Sequence, residues 1–306
     1  MPIARVVCRA AAWAALAVLS VAAAAATATG CAPGGPAMRV TAMTFNIRYG
    51  TAPDGDNKWT NRQGQVFDLI RRQAADFVGV QEAVPFQVEA LDRGLPEYRH
   101  VGRSREADPK QGEAVPILYR HDRWDLAASG TFWLSDTPEA PGSKSWGNNL
   151  PRVATWGRFV EKATGRPVYV FNTHFDHQSQ PAREKSAVLL AARLRDIAAA
   201  GPQDGSPPPV LVMGDLNVAE ANPAVRYLTG QEGATPVRLA DTFRLVHPKA
   251  TDVGTFHEFT GKAGADKIDY IFVRGGTKVL KAAILHNQRD GRYPSDHFPV
   301  MAEVAF

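Results

Sequence analysis

Cysteine is almost absent from this chain, whose 306 residues include only Cys8 and Cys31. Cys8 falls in an N-terminal segment that we predict to be removed, so a disulfide within one mature chain is excluded. A packed hydrophobic core must therefore hold the fold together. With 44% hydrophobic and 22% charged residues, a chain of this length is able to bury such a core and is not expected to be disordered as a whole.

Runs of basic residues are also missing after the N-terminal segment, and the net charge is small. The formal charge is +4, and it falls to +2 when Arg5 and Arg9, the charged residues of the first 30 positions, are removed. Proteins that depend on gripping nucleic-acid phosphates carry a basic cluster or stripe. The composition therefore argues against tight nucleic-acid binding, although it does not exclude a nuclease.

Residues 1–30 have the pattern of a signal peptide rather than of a membrane-spanning helix. Arg5 and Arg9 precede an uncharged run rich in alanine, valine and leucine, which ends in small residues at positions 26–30. Alanine is only weakly apolar, and a processing site follows the run at once. We therefore predict that residues 1–30 are removed and that the mature protein is exported from a bacterial cell.

Cys31 follows the signal peptide directly, and two interpretations of it remain open. The sequence from Ala28 to Cys31 is similar to the lipobox of bacterial lipoproteins, which predicts a lipid anchor on Cys31 and a cell-surface location. Cleavage near Ala28 would instead leave a free thiol on a secreted or periplasmic protein. We favour the anchor, because an exposed thiol is a liability in an oxidising compartment. The Pro/Gly-rich residues 31–37 serve as a tether in either case.

The remaining residues, 38–306, are expected to form one domain of α/β (α+β) class, because predicted strands are separated by predicted helices. A capping-box pattern at Thr60 and Gln63 predicts a helix start ahead of the apolar stripe of Val66 and Leu69. Further helices are predicted near 85–91, from Pro181 to about 201–202, and from 222 to 230. Strands are predicted at 39–46, 77–80, 114–119, 153–159, 168–174, 210–213, 254–259, 267–273 and from residue 300.

Polar residues recur at the ends of these strands, which indicates a shared site. Asp215 and Asn217 follow the run that begins at Val210, and taken alone they suggest a turn as readily as chemistry. A buried strand that ends in a charge is costly unless that charge is paired or bound to a cation. Because the pattern repeats, we expect several strand ends to meet at one rim, with Asn46, Glu82, Asn172, His174, Asp215, Asn217, Asp269, Asp296 and His297.

Substrate contacts are expected from the long loop at 135–151 and from the residues that flank it. Arg152 is either a surface cation or a bidentate contact to an oxyanion, for which a guanidinium is suited. Trp146 either stacks on a sugar or base or packs over an edge. His177 either joins the substrate wall or is structural. Glu113, ahead of a strand in which Pro116 suggests an edge or bulge, is ambiguous at this point.

Six motifs in one order resemble the endonuclease/exonuclease/phosphatase superfamily, which includes pancreatic-type deoxyribonucleases, apurinic endonucleases, bacterial sphingomyelinases and inositol polyphosphate phosphatases. The resemblance covers nearly all of the mature chain. It implies a four-layer sandwich of two packed, mixed β-sheets flanked by helices, with a divalent-cation phosphoesterase site at the rim of the sheets. The motifs are Phe-Asn46-Ile, Gln81-Glu82, Asn172-Thr-His174, Gly214-Asp215-Leu-Asn217, Ile268-Asp269-Tyr and Ser295-Asp296-His297.

The resemblance assigns the metal and the attacking water to one group of residues. It implies that Glu82 is the principal metal carboxylate, with Asn46 and Asp296 nearby. Oxygen ligands of this kind suit Mg²⁺, and Mn²⁺ is an alternative. The same resemblance implies that Asp215 orients or deprotonates the attacking water, while Asn217 holds the water or a phosphate oxygen.

A second group of residues is implied to act on the phosphate. His297, paired with Asp269, would stabilise the charge that develops on phosphorus, and His174 would contact phosphate or assist the leaving group. In the pancreatic-type nucleases a glutamate binds the histidine that corresponds to His174, and Glu113 resembles that glutamate. Arg152 would contact the phosphate. Together with a cation, these groups provide the positioning and charge neutralisation that phosphoryl transfer requires.

The sequence leaves three functions open. We favour an exported, metal-dependent phosphoesterase that cleaves a phosphomonoester or phosphodiester by direct attack of water, with a small or lipid-headgroup substrate. The absence of a nucleophilic cysteine or a serine elbow agrees with attack by water. A secreted nuclease is the alternative, and a non-catalytic surface binding module on the same fold is the third. No protein partner is implied, and membrane contact is expected only through a lipid on Cys31.

Overall fold

A computed structural model of the chain describes residues 37–199 and 207–306. The predicted signal peptide, Cys31, nearly all of the predicted tether, and the predicted helix end at 201–202 lie outside these residues. The described residues form five α-helices. None of them combines the length and the apolar composition that crossing a bilayer requires. These helices are α1 (Trp59–Gln73), α2 (Pro85–Gly94), α3 (Gln180–Ile197), α4 (Pro223–Leu228) and α5 (Thr242–Val246).

Twelve strands in the described residues form two six-stranded sheets. The first sheet has the order β11-β12-β1-β2-β4-β3 and the second the order β5-β6-β7-β8-β10-β9. Each is mixed, because β1–β2 and β7–β8 are parallel and the other pairs are antiparallel. The strands are β1 (Arg39–Asn46), β2 (Phe77–Gln81), β3 (Tyr98–Val101), β4 (Ile117–Arg120), β5 (Trp124–Trp133), β6 (Val153–Glu161), β7 (Pro167–His174), β8 (Val210–Asp215), β9 (Leu239–Asp241), β10 (Asp269–Arg274), β11 (Lys278–Ile284) and β12 (Val300–Ala305).

The expected four layers are confirmed by three buried apolar clusters. One cluster lies between the sheets and joins residues such as Val40 of β1 to Leu211 of β8. A second joins the outer face of the second sheet to α3 and α4, and a third joins the outer face of the first sheet to α1 and α2. Alternation along each strand sends successive side chains to opposite faces, so the central strands are buried on both sides.

Side-chain hydrogen bonds of Asn172 connect the two sheets. Its Nδ2 donates to the carbonyls of Val80 and Pro116 at 2.8 and 2.9 Å, and its Oδ1 accepts from Gln81 Nε2 at 2.6 Å. A Cβ atom on Gly79 would lie only 2.7 Å from Asn172 Oδ1, so a side chain there would push the sheets apart. Asn172 is therefore a structural residue of the interior.

Several sequence-based predictions of local structure were wrong. Helix α1 begins after Lys58, with no side-chain cap, so Thr60 lies inside the helix rather than capping it; burial of Trp59 accounts for the earlier start. Pro116 suggested an edge strand or a bulge, but β4 is an interior strand between β2 and β3. This is possible because Pro116 precedes β4 and takes part in the sheet only through its carbonyl, which requires no N–H. The predicted strand at 254–259 is a loop with one isolated bridge, between Phe256 and His297.

Candidate active site

Strand register brings the predicted polar residues together at one rim. Asn46 pairs with Gln81 at the end of β1, and His174 pairs with Asp215 at the ends of β7 and β8. Asp269 opens β10 directly opposite Asp215, because β10 runs antiparallel to β8. The segment before β12 adds Asp296 and His297. Backbone pairing alone therefore fixes the approximate position of most of the site.

These residues line a cleft of about 430 Å³, which is within the size range of sites for small ligands. Carboxylates and cations are interspersed along its wall: Arg48 lies 3.7 Å from Asp296, and Arg105 lies 2.8 Å from Glu113. A few apolar side chains complete the wall. The residues are Arg48, Tyr49, Glu82, Arg105, Glu113, Leu150, Arg152, His174, His177, Asp215, Asn217, Phe256, Ile268, Asp296 and His297.

Asp215 lies at the centre of the hydrogen-bond network of the cleft. Its Oδ1 accepts from the backbone N–H of Asn217 at 2.8 Å, and its Oδ2 accepts from Asn46 Nδ2 at 3.0 Å. Burial raises the pKa of Asp215 to about 7, and the charge of Asp269 adds to the rise, whereas His297 opposes it. A carboxylate with a pKa near neutrality is suited to accept a proton from water.

His297 is held as a cation by buried carboxylates. Its Nδ1 lies 2.9 Å from Asp269 Oδ2, and its Nε2 lies 3.9 Å from Asp215 Oδ2. Burial alone would lower the pKa of His297, but Asp269, Asp215 and Asp296 together raise it to about 10. The protonated ring is therefore able to donate a hydrogen bond from Nε2 to a phosphate oxygen.

Asn46 presents its amide nitrogen, not its oxygen, to the carboxylates. Its Oδ1 accepts from the backbone N–H of Arg48 at 3.0 Å, and a backbone N–H is able only to donate, which fixes the orientation of the amide. Nδ2 then bridges Glu82 Oε1 and Asp215 Oδ2, each at 3.0 Å. In this arrangement Asn46 orients two carboxylates. Its amide oxygen has a second lone pair, so its role as a metal ligand stays a prediction.

Glu82 and Asp296 supply the oxygen atoms that a divalent cation would use. Glu82 Oε2 accepts from the Tyr49 N–H at 2.9 Å, and Asp296 Oδ1 accepts from Ser295 Oγ at 3.1 Å. Burial raises the pKa of Asp296, and the charge of Glu82 contributes to the rise. Such a concentration of partly buried negative charge fits a divalent cation with oxygen ligands.

Another acidic group among the described residues fits a metal less well. Asp215, Asp269 and His297 have potential ligand atoms within 4.8 Å of one another. However, His297 Nδ1 is engaged with Asp269, and the protonated ring has no lone pair to offer a metal. The chemistry of these three groups is that of a proton-carrying network.

His174 is buried and neutral, and its expected glutamate partner is bound elsewhere. Burial lowers the pKa of His174 well below its ordinary value, and the cations Arg152 and Arg105 contribute to the lowering. His174 Nδ1 lies 4.0 Å from Glu113 Oε2, which is beyond hydrogen-bond distance. Arg105 instead binds Glu113 through two contacts of 2.8 and 3.0 Å, because a bidentate charge-assisted pair is the stronger interaction.

Arg152 and Arg105 supply the cationic part of the wall, and His177 lies beside Arg152. Arg152 donates from Nη2 to His177 Nδ1 at 2.8 Å, so His177 accepts at that atom and carries its proton on Nε2. Burial lowers the pKa of His177, and Arg152 lowers it further. Arg152 also lies 3.4 Å from Asp176 Oδ2, and both of these side chains are almost fully buried. Both Arg152 and His177 line the cleft, where the substrate-contact alternative of each would place it, and those roles stay predictions.

Trp146 does not line the cleft, so its predicted stacking on substrate is corrected. Its Nε1 donates to Asp136 Oδ1 at 2.8 Å, and its ring packs against the apolar cluster of the second sheet. The ring thus covers an edge of the core. The apolar surface of the cleft comes instead from Leu150, Phe256 and Ile268.

Arg48, Arg62 and Arg105 are residues of the site that the sequence did not single out. Arg62 donates to the carbonyls of Ile47, Arg48 and Pro294, and so ties the end of β1 to the segment that carries Asp296. A signal for Arg62 did exist, because helical spacing places it on the buried face of α1. Arg105 follows the short strand β3, which the sequence did not reveal.

Three residues of the cleft adopt left-handed backbone conformations that side chains other than glycine rarely take. Arg48, Glu82 and Asn217 have φ values of 57°, 61° and 53°. Each directly follows or lies close after a strand end, so the backbone turns sharply at the rim. Strain of this kind is stored preferentially at functional sites.

The chain is similar to proteins of one family. The model of the endonuclease/exonuclease/phosphatase family matches residues 43–297. A mannosyl-6-phosphatase of Bacteroides thetaiotaomicron is 30% identical, with 87% of this chain and 100% of that chain covered and a TM-score of 0.77. An endonuclease/exonuclease/phosphatase of Bacteroides vulgatus is 33% identical, with coverage of 87% and 98% and a TM-score of 0.77.

A curated relative matches over a shorter stretch. It is an uncharacterized protein of Acanthamoeba polyphaga mimivirus, 28% identical over an alignment of 167 positions that covers 52% of this chain. The match spans 59% of the length of that relative.

Proposed function

The chain belongs to the endonuclease/exonuclease/phosphatase family, and on that premise we propose that it is a divalent-metal-dependent phosphoesterase that hydrolyses a small phosphate monoester by direct attack of water. The observation that carries this proposal is the environment of Asp215. A buried carboxylate with a pKa of about 7 lies beside a histidine, His297, that is held protonated by Asp269. A base and a cationic hydrogen-bond donor are thereby positioned at one point of the cleft.

The two sides of the cleft suit the two kinds of partner that the reaction needs. Glu82 and Asp296 would hold the cation, which supplies charge neutralisation on the phosphate when it is bound. Arg105 and Arg152 also line the cleft, and the carboxylates with which they pair, Glu113 and Asp176, are not the ones expected to hold the cation. A phosphate that bridges these sides would have a positive charge next to it on both, the cation on one side and the guanidinium groups on the other.

Besides the cation, the chemical step needs groups of this chain and water. Asp215 accepts a proton from the attacking water as the water oxygen forms a bond to phosphorus. The ester P–O bond breaks, the departing alkoxide takes up a proton from solvent, and Asp215 then releases its own proton to solvent. His297 donates from Nε2 to a non-bridging oxygen, and Asp269 keeps the imidazolium in place. The products are an alcohol and inorganic phosphate. Asn46 contributes by donating hydrogen bonds to both Asp215 and Glu82, which fixes the position of one carboxylate relative to the other.

A monoester of a small molecule is favoured over a long nucleic acid by two observations. The cleft of about 430 Å³ has the dimensions of a small-ligand site. Two guanidinium groups at its wall match the double negative charge of a terminal phosphate better than the single charge of a diester. Similarity to a mannosyl-6-phosphatase over 87% of this chain also supports a sugar phosphate as the substrate.

A panel of phosphoesters tests the proposal. Purified protein is assayed with hexose 6-phosphates, 4-nitrophenyl phosphate, bis(4-nitrophenyl) phosphate and single-stranded DNA, each with Mg²⁺, with Mn²⁺ and with a chelator. We expect metal-dependent release of phosphate from the monoesters. Cleavage of DNA with no hydrolysis of any monoester would replace this proposal with the nuclease alternative, and no hydrolysis of any compound would favour a binding module.

We also propose that the protein is exported and anchored through a lipid on Cys31. The support is the signal-peptide pattern of residues 1–30, with Cys31 directly after it. Cells grown with labelled palmitate should incorporate the label into the wild-type protein, and this incorporation should be lost in Cys31→Ser. Incorporation that survives this substitution would refute the anchor.

A further inference from the structure

A second cavity, larger than the catalytic cleft, lies beside the outer face of the second sheet. Its volume is about 930 Å³, and it is bounded by α4, β9, α5 and the turn after β10. It shares no lining residue with the cleft that contains Asp215. Neither the sequence motifs nor the catalytic proposal gives this cavity a role.

The acidic groups around this cavity are already bound to cations. Glu220 receives two contacts from Arg244, at 2.7 and 2.6 Å. Asp241 accepts from the buried Lys267 at 2.7 Å. Glu232, on the chain nearby, pairs with Arg226 at 3.1 Å. Within each pair the two charges cancel. None of these acidic groups is therefore left to pair with the two remaining arginines of the cavity, Arg274 and Arg238.

Arg274 is the first of these two arginines. It ends β10, and alternation places its side chain on the same sheet face as Tyr270 and Phe272, at the point where the apolar cluster gives way to the cavity. Its Nε atom is buried without a hydrogen-bond partner in the described part of the chain. Burial lowers the pKa of Arg274, and no carboxylate acts against that lowering. A partly buried cation without a counter-charge is unfavourable for the folded protein alone.

Arg238 is the second, and it directly precedes β9, in which Leu239 pairs with Arg274 of β10. Its Nε donates to the Thr229 carbonyl at 3.2 Å, which anchors the guanidinium and leaves both Nη groups unused among the described residues. Gly230 allows this placement, because a Cβ there would lie 3.2 Å from Arg238 Cγ. Apolar side chains stand beside the two arginines, including Val237 and the exposed Leu245.

From this arrangement we propose that the cavity is a second binding site, separate from the catalytic cleft, for an organic anion. The acidic group of the ligand lies between Arg238 and Arg274, and its apolar part covers the exposed Leu245. The class of ligand is a small amphiphilic acid, with one phosphate, sulfonate or carboxylate on an apolar body. Such a ligand supplies both the counter-charge and the apolar cover that the cavity lacks.

Binding of 8-anilinonaphthalene-1-sulfonate tests the site, because this probe joins one sulfonate to apolar rings and fluoresces when bound. The probe is titrated into the purified wild-type protein and into Arg274→Gln and Arg238→Gln. Loss of a charge-assisted contact is expected to weaken binding at least about tenfold in each variant. Arg195→Gln removes a cation that is exposed and paired with Asp196, and it serves as the matched control with unchanged affinity.

Two further measurements make the result decisive. Arg152→Gln removes a cation of the catalytic cleft, and we expect it to leave probe binding unchanged. Thermal unfolding of each variant checks the fold, and Arg238 is exposed, so Arg238→Gln should unfold like the wild type. The proposal is overturned if the wild type does not bind the probe, if Arg238→Gln binds it as well as Arg195→Gln does, or if Arg152→Gln is the variant that loses binding.

Discussion

The Nδ1 atom of His297 lies 2.9 Å from Oδ2 of Asp269, and the exposed fractions of the two side chains are only 6% and 1%. The two residues come from β10 and from the segment before β12, so their contact joins the two sheets at the rim of the cleft. Asp269 Oδ1 has no partner of its own in the described residues. The whole side-chain hydrogen-bonding contribution of this buried carboxylate therefore goes to Nδ1 of the histidine, which leaves Nε2 facing Asp215 in the cleft.

The pH dependence of hydrolysis follows from this pair and from Asp215. Asp215 must be deprotonated to accept a proton, and its pKa is raised to about 7, so activity should rise as pH increases through that value. His297 must be protonated, and its pKa is raised to about 10, so activity should fall above that value. We expect a bell-shaped profile of kcat/KM for 4-nitrophenyl phosphate between about pH 5 and about pH 11. A flat profile across the lower half of this range would contradict the role of Asp215.

The metal requirement should depend on Glu82. Glu82→Gln keeps the shape of the side chain and removes its charge, so a cation loses one of its carboxylates. We expect the Mg²⁺ concentration for half-maximal activity to rise at least about tenfold. Glu89→Gln is the control, because that side chain is 68% exposed and pairs only with Arg93. An unchanged Mg²⁺ requirement in Glu82→Gln would place the cation elsewhere.

Arg105 and Glu113 should act as a coupled pair in substrate binding. Arg105→Gln removes a cation from the cleft and leaves the largely buried Glu113 carboxylate without its partner. We expect KM for a monoester to rise about tenfold, with a smaller change in kcat. In a double-mutant cycle with Glu113→Gln, the combined loss should be smaller than the sum of the single losses, by about 1–3 kcal/mol. Additive losses would show that the two residues act independently.

The positions of the catalytic residues could be predicted from the sequence because they depend on strand ends. The bounds of β1 match the prediction from Arg39 to Asn46. Buried strands that end in polar residues have few ways to satisfy those residues except at a shared rim. Asn46, Asp215 and His297 therefore followed from local patterns together with the resemblance of their motifs.

The contacts across the cleft could not be predicted, because they depend on side-chain competition in three dimensions. No spacing in the sequence indicates that Arg105 would bind Glu113 and leave His174 at 4.0 Å. The sequence also left open whether the ring of Trp146 stacks on substrate or packs over an edge, and only the structure shows that it packs against the core. Strands β3, β5, β9 and β11 escaped detection. Strands β3 and β9 are too short to carry a clear periodicity, and β5 and β11 are largely exposed and lack a sustained apolar alternation.

Asn172 should contribute to stability and not to catalysis. In Asn172→Ala, the carbonyls of Val80 and Pro116 and the amide of Gln81 lose a buried partner. We expect the free energy of unfolding to fall by about 2–4 kcal/mol, measured by urea denaturation, with kcat/KM nearly unchanged at a temperature where the protein is folded. Asn149→Ala removes an exposed amide that bonds Gln178, and it should cost less than about 0.5 kcal/mol. Equal effects of the two substitutions would contradict this account.

The central claim is that Asp215 activates the water, and Asp215→Asn tests it most directly. The substitution keeps the size of the side chain but removes its ability to accept a proton. In hydrolysis of 4-nitrophenyl phosphate with saturating Mg²⁺, kcat should fall by about 10²–10⁴-fold, whereas Asp252→Asn, at an exposed aspartate, should leave it unchanged. A folded Asp215→Asn protein that retains the kcat of the wild type would contradict the account.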